Sequence, residues 1–342
     1  MMTIKDIAKE SGYSVSTVSR VLNNRRDVSP EAKKRIEEIV AEHHFVPNNN
    51  AKHLKQNVSK TIAVLVKGTS NMLFASIVEE IQKKIEKTRY TASITYIDED
   101  DNEVEEAVIV CRERKPMGML FLGGNPQSFE ETFQEINVPC VLVTNQGNAL
   151  KFDNLSSVAT DDEKAAECAI DFLIEQGHTR IGILGGVRSL SHTSNQRYLG
   201  CLKSFAKHDI VFDEAVYYET ARFSYDNAYY AMQRLYKRAG DITAVFAMSD
   251  VTAIGAIRAL IDMGIKVPEE ISVMGFDGIA LAKYYNPKLT TIQQQYSTLA
   301  SRSVEILLNY IELSTSPVHE VIPFGLIQGE SVKKIIGGTQ NA

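Results

Sequence analysis

Two groups of polar residues stand out by type and spacing. In the first, Ser16, Thr17, Arg20 and Asn23 stay outward on a helix that turns Val18, Val21 and Leu22 inward. These are types that read base edges in the major groove, and an arginine fork on guanine O6 and N7 is worth about 1–3 kcal/mol of discrimination. A solvated surface charge on a small packing module is the alternative for Arg20. In the second group, Asp250 and Asp277 follow the apolar runs 244–248 and 273–276, and Arg197 opens a helical stretch. Carboxylates accept hydroxyl hydrogen bonds and a guanidinium offers several donors, so the set suits a neutral polyol such as a sugar. Phe74 and Phe223, each beside a loop, add flat apolar faces for a sugar ring. Aspartate after a strand also commonly caps the next helix, which leaves a second reading open for both acids.

The elements that must position these residues fall into three stretches. Residues 1–46 read as three short helices: Thr3 with Asp6 forms a variant capping box, Gly12 stops the first helix, and Ser14 or Ser16 caps the second at 16–23. Ser29-Pro30-Glu31 opens the third, which carries Ile36, Ile39 and Val40 inward. Helix, tight turn and helix make a helix-turn-helix, whose second helix enters the major groove. Residues 47–58 read as a linker, in which 48–56 is a polar segment with a single large apolar residue, Leu54. From 59 to 342, short apolar strands at 62–66, 92–96, 119–122, 141–144, 181–184, 244–248 and 273–276 alternate with amphipathic helices. That alternation predicts two doubly wound parallel α/β lobes, about 60–160 plus 292–321 and about 161–291 plus 322–338, with ligands at the carboxyl ends of the strands.

The net charge of −6 is polarised. Residues 1–60 hold eleven Lys/Arg against seven Asp/Glu, and the remainder 26 against 36. A basic module on an acidic body favours selective phosphate attraction. The scattered Cys111, Cys140, Cys168 and Cys201 lack metal-ligand or redox spacing and read as reduced core residues. No apolar run is long enough for a membrane span and no leader pattern opens the chain, so a cytoplasmic protein is expected. The glycine pairs at 123–124 and 185–186 make neither a dinucleotide fingerprint nor a phosphate loop, and there is no His-x-x-x-His pair. An enzyme is therefore not expected, nor a cofactor or metal.

The runs Thr3-Ile4-Lys5-Asp6-Ile7-Ala8, Ser14-Val15-Ser16-Thr17-Val18-Ser19-Arg20-Val21-Leu22-Asn23 and Val28-Ser29-Pro30-Glu31 resemble the headpiece of the lactose/galactose repressor (LacI/GalR) family. The likeness continues through Val46-Pro47-Asn48 and Ala51-Lys52-His53-Leu54-Lys55 into the body. It implies a repressor that binds double-stranded operator DNA as a homodimer and answers to a small sugar-like effector held between a periplasmic-binding-protein-like pair of lobes. It adds Ser14, Val15, Ala51 and Lys55 to the DNA-contacting set and implies that the segment around Leu54 is a hinge helix wedging that leucine into the minor groove. In the cleft it implies Phe74, Arg197, Phe223, Asp250 and Asp277, with Asp161, Ser191 and Thr193 as further candidates. Asn49, Asn50, Lys52 and His53 depart from the small residues and arginine common in the family's hinge, and the loop Val66-Lys67-Gly68-Thr69-Ser70-Asn71 departs from its aspartate-rich form. Control by a corepressor or by a phosphorylated carrier protein, as for some family members, stays open. For the dimer surface, 298–313 carries Leu299, Val304, Leu307, Leu308 and Ile311, more apolar surface than one face needs, with core packing as the alternative.

Overall fold

In the computed structural model, which describes residues 4–22, 28–43, 60–68 and 71–335, contacts divide the chain into Met1–Ser59 and Lys60–Ala342. The first unit has three described helices, α1 (Ile4–Ser11), α2 (Val15–Leu22) and α3 (Pro30–Glu42). Gly12 ends α1 at φ +77°, its N–H donating to the Ala8 carbonyl at 3.1 Å; this left-handed backbone strains any residue with a side chain. Of the two candidate caps for α2, Ser14 serves: its Oγ accepts from the Thr17 N–H at 3.1 Å. Ser29 caps α3 by accepting from Ala32, with Pro30 at the first helical position. Ile7, Ala8, Val18, Val21, Ile36 and Ile39 close the small core. Thr3 lies outside the described residues.

The second unit begins with β1 (Thr61–Lys67), α4 (Met72–Ile85), β2 (Thr91–Ile97), α5 (Glu103–Arg114), β3 (Gly118–Leu122), α6 (Pro126–Thr132), β4 (Cys140–Val143) and β5 (Leu155–Thr160). The chain then leaves for α7 (Asp162–Glu175), β6 (Ile181–Gly185), α8 (His192–Lys207), α9 (Glu214–Tyr217), β7 (Tyr218–Thr220), α10 (Tyr225–Arg238), β8 (Ala244–Ala247), α11 (Asp250–Asp262), β9 (Ser272–Asp277) and β10 (Thr290–Gln293). It returns for α12 (Tyr296–Leu313) and β11 (His319–Ile322), and crosses once more to β12 (Gly325–Ile327). Two six-stranded sheets result, β11-β5-β4-β3-β1-β2 in the amino-terminal lobe and β12-β10-β9-β8-β6-β7 in the carboxy-terminal lobe.

Both faces of each sheet are covered. Along β1, Ile62, Val64 and Val66 join one apolar cluster with α4 and α12, while Ala63 and Leu65 join another with Val104, Ala107 and Phe129. Such two-sided burial produces continuous apolar strands rather than alternating ones. Helix α4 needs only one face: Leu73, Phe74, Ile77, Val78, Ile81 and Ile85 form its buried stripe, and Asn71 caps it through the Leu73 N–H at 3.0 Å.

The structure refines three sequence readings. The carboxy-terminal sheet is not wholly parallel, because β12 runs antiparallel to β10 at its edge. Strands β5, β7, β10, β11 and β12 have no apolar run to betray them. In β5, Ser156, Ser157 and Thr160 are buried, and Ser157 Oγ meets the Gly147 N–H at 3.0 Å and His319 Nδ1 at 2.8 Å. The apolar residues of α12 serve the core: Leu299, Val304 and Leu307 are buried, with Leu308 and Ile311 packed against the same cluster. The cysteines are all free, Cys140 and Cys201 buried and Cys111 and Cys168 half-buried.

Candidate DNA-reading helix and interlobe cavity

Helix α2 buries Val18 and Val21 and leaves Val15, Ser16 and Arg20 exposed, with Thr17 half-buried. Ser14 Oγ lies 2.7 Å from Ser16 Oγ and 2.9 Å from Thr17 Oγ1, so three hydroxyls gather at the amino end of the helix. Such an end can donate hydroxyl and backbone N–H groups to phosphate, and the exposed Val15 is an apolar contact of the kind a thymine methyl takes. Asn23, Ala51, Leu54 and Lys55, also expected at DNA, lie outside the described residues.

A cavity of about 540 Å³ opens between the two lobes, inside the roughly 300–1,000 Å³ span of small-molecule sites. It gathers Phe74, Ser191, Thr193, Arg197, Phe223 and Asp277 from the expected set. Arg197 is 4% exposed and anchored from several sides. Its guanidinium lies 3.6 Å from the Phe276 ring centroid, donates from Nε to Asp162 Oδ1 at 2.8 Å, donates to the Met248 carbonyl, and stands 3.9 Å from Asp277. Asp277 accepts from Gln294 Nε2 at 2.9 Å and has φ +122°, a conformation costing a residue with a side chain about 1–3 kcal/mol. Burial raises its carboxyl to about 6, against the opposing pull of Arg197 and of the Gln294 hydrogen bond.

The structure does not bring two expected residues to the cavity. Asp250 is fully buried at the start of α11, where it accepts from the Ile279 N–H at 2.8 Å and Thr291 Oγ1 at 2.5 Å, and burial together with Asp277 pushes its carboxyl well up. It stitches α11 to β9 and β10. Asp161 caps α7 through the Lys164 N–H at 3.0 Å. Asp161 is thus the capping aspartate of the second reading, whereas α11 is capped by Ser249 through the Thr252 N–H at 3.1 Å and Asp250 is a buried structural acid.

Other lining residues escaped the sequence reading. Asn145, after β4, donates to the Gly124 carbonyl at 2.7 Å and accepts from Thr193 Oγ1 of the opposite lobe at 2.8 Å. Lys67 meets the buried Glu103 at 2.6 Å, and the other oxygen of Glu103 accepts from the Asn125 N–H, fixing the loop after β3. Arg222, after β7, reaches across the lobes to Asp98, Glu99 and Asp100 after β2, at 2.5 Å for Asp98 and 2.8 Å for Asp100. Position after a strand was the available signal for most of them. Gln294 gave none, because β10 was not recognised.

Residues 3–48 match the family described as bacterial regulatory proteins, lacI family, and 170–332 match the periplasmic binding protein-like domain. The HTH-type transcriptional regulator MalR of Clostridium butyricum is 37% identical over 333 residues, covering 96% of this chain and 99% of the relative. The ribose operon repressor of Haemophilus influenzae is 30% identical over 312 residues, 91% of this chain and 92% of that one. The transcriptional regulator CelR–cellobiose complex has a TM-score of 0.69 at 26% identity, covering 97% of this chain and 100% of that one. The lac repressor dimer bound to operator and the anti-inducer ONPF has the same fold, with a TM-score of 0.75 at 23% identity over 97% and 99% of the two chains.

Proposed function

The chain belongs to the LacI family of bacterial regulatory proteins, and from that membership we propose a homodimeric, sequence-specific transcriptional repressor, not an enzyme, that acts on operator DNA in the cytoplasm and is controlled by a neutral sugar between its lobes. Helix α2 is the reader: Val15, Ser16, Thr17 and Arg20 face bases, and Ser14 positions them by holding the amino end of the helix. A twofold dimer presents two such helices to the half-sites of a near-palindromic operator.

The observation that carries the ligand class is the charge balance of the cavity wall. Lys67 is paired with Glu103, Arg197 with Asp162, Arg222 with three acids and Arg234 with Glu219 at 2.8 Å. Among the described residues, each lining Lys and Arg already has its counter-charge, so an anion gains little there, whereas amides, hydroxyls and Asp277 fit ring hydroxyls. Closure of the lobes on sugar changes operator affinity, and linkage requires operator to change sugar affinity by the same factor.

Thermal shift of the whole protein tests the ligand class, because a ligand of the folded state raises its midpoint by mass action. Neutral sugars should raise the midpoint, and their 6-phosphates should not; a preference for the phosphates would overturn the neutral-sugar reading. For the DNA reader, duplexes selected from a random pool should lose preference at one base per half-site with Arg20→Ala, by about 1–3 kcal/mol. Uniform weakening of every sequence would make Arg20 a phosphate anchor.

A further inference from the structure

We infer that the effector is an unbranched oligosaccharide, with its terminal ring beside Arg197 and Asp277 and its following rings in a second cavity walled by Gln127, Ser189 and Asn195. This rests on the neutral-sugar reading above and adds the length of the ligand. The second cavity, about 690 Å³, adjoins the first: Asn125, Val187, His192 and Thr220 stand in the walls of both. The rim of the first cavity is tied elsewhere, where Arg222 gathers Asp98, Glu99 and Asp100, and none of these four residues lines the second cavity. A ligand longer than the first cavity therefore extends toward the second and away from that ion-paired rim.

The chemistry of the second wall repeats that of the first. Gln127, Asn125 and Asn195 supply carboxamides, each both donor and acceptor, and Ser189 supplies a hydroxyl. Its cation, Arg188, is already paired with Glu214 and lies 4.1 Å from the Tyr198 ring centroid. His192 stands where the cavities meet; burial lowers its pKa, which keeps the ring neutral with one nitrogen donating and the other accepting. A wall of amides and hydroxyls whose one cation is compensated, and whose remaining charge is the exposed carboxylate of Glu130, suits further sugar rings better than a phosphate or a peptide carboxylate.

Calorimetry on the full chain, using glucose, mannose, galactose and xylose alone and as linear α- and β-linked dimers and trimers, tests the length. At least one dimer or trimer should bind ten-fold or more tightly than its monosaccharide. Asn195→Phe, which fills only the second cavity, should remove that gain and leave the monosaccharide affinity within two-fold; Gln127→Ala should remove part of it. Operator affinity without sugar reports whether each variant is folded. A monosaccharide as tight as all its oligomers, or an oligomer gain untouched by both variants, overturns the extended site while the neutral-sugar reading stands. Binding by none of the sugars overturns the neutral-sugar reading and this inference with it.

Discussion

The two lobes share one winding pattern and bring different chemistry to the cavity. The carboxy-terminal lobe supplies buried ionic anchors: Arg197 rises from α8 into contact with Phe276, Asp162 and Asp277, all on strands or helices with little room to move. The amino-terminal lobe supplies the Phe74 ring, the amides of Asn125 and Asn145, and the acidic turn at 98–100. Its own buried ion pair, Lys67 with Glu103, holds a loop in place. On the proposed function, one lobe thus serves to orient the ligand and the other to register closure, a division of labour that a shared topology alone does not predict.

That contrast can be broken at its strongest point. Arg197→Ala leaves Asp162 and Asp277 buried without their guanidinium, and an uncompensated buried charge costs about 3–5 kcal/mol. Urea denaturation should show a loss of that order and sugar should no longer affect operator binding; an unchanged midpoint would remove the anchoring role. Asp277→Asn takes away a charged acceptor, for which the expected loss of sugar affinity is about 1.5–3 kcal/mol, roughly ten- to a hundred-fold, with operator binding intact.

The pH dependence of Asp277 has two opposite senses. A carboxyl raised to about 6 in the fold contributes stability that is fully present below the ordinary carboxylate range and is lost as pH rises through about 6. The proposed sugar acceptor is the ionised form, so sugar affinity should rise over the same interval. Sugar titrations and melting curves from pH 4.5 to 8 should both flatten in Asp277→Asn.

Smaller effects belong to the contacts that join the two lobes. Thr193→Val removes the hydroxyl bonded to Asn145 across the lobes and should cost about 0.5–1.5 kcal/mol of sugar affinity, read by calorimetry. Arg222→Ala breaks half-exposed pairs worth about 0–1 kcal/mol each, so it should change affinity only a few-fold and chiefly at low salt. A larger loss from Arg222→Ala than from Arg197→Ala would put the main contribution in the contacts across the lobes rather than in the buried anchor.

What was legible in the sequence follows the same physics. Strands buried on both faces announce themselves as apolar runs, so β1, β3, β6, β8 and β9 could be found. Strands that bury serine and threonine among their apolar residues, β5 and β10, could not, because Ser157 and Thr291 find their partners far away in sequence, at His319 and Asp250. The site divides likewise. Asp277 lies at the strand end where the rule places it and Arg197 lies in the second turn of α8 rather than at its start, but the same rule admitted Asp250 and Asp161, which serve as structural acids. The pairing of Arg222 with 98–100 joins loops more than a hundred residues apart, and no local pattern signals it.

The chain passes between the lobes three times, and its second pass returns α12 and β11 to the amino-terminal lobe. During synthesis that lobe must therefore wait, with the apolar sites for Leu299, Val304 and Leu307 unfilled, until the whole carboxy-terminal sheet through β10 has been made. A product that stops short of residue 296 lacks β11 at one edge and α12 over one face, and shows quality-control machinery a broad apolar surface. The order in which the chain is written thus favours complete regulators over fragments carrying only the DNA-reading helices.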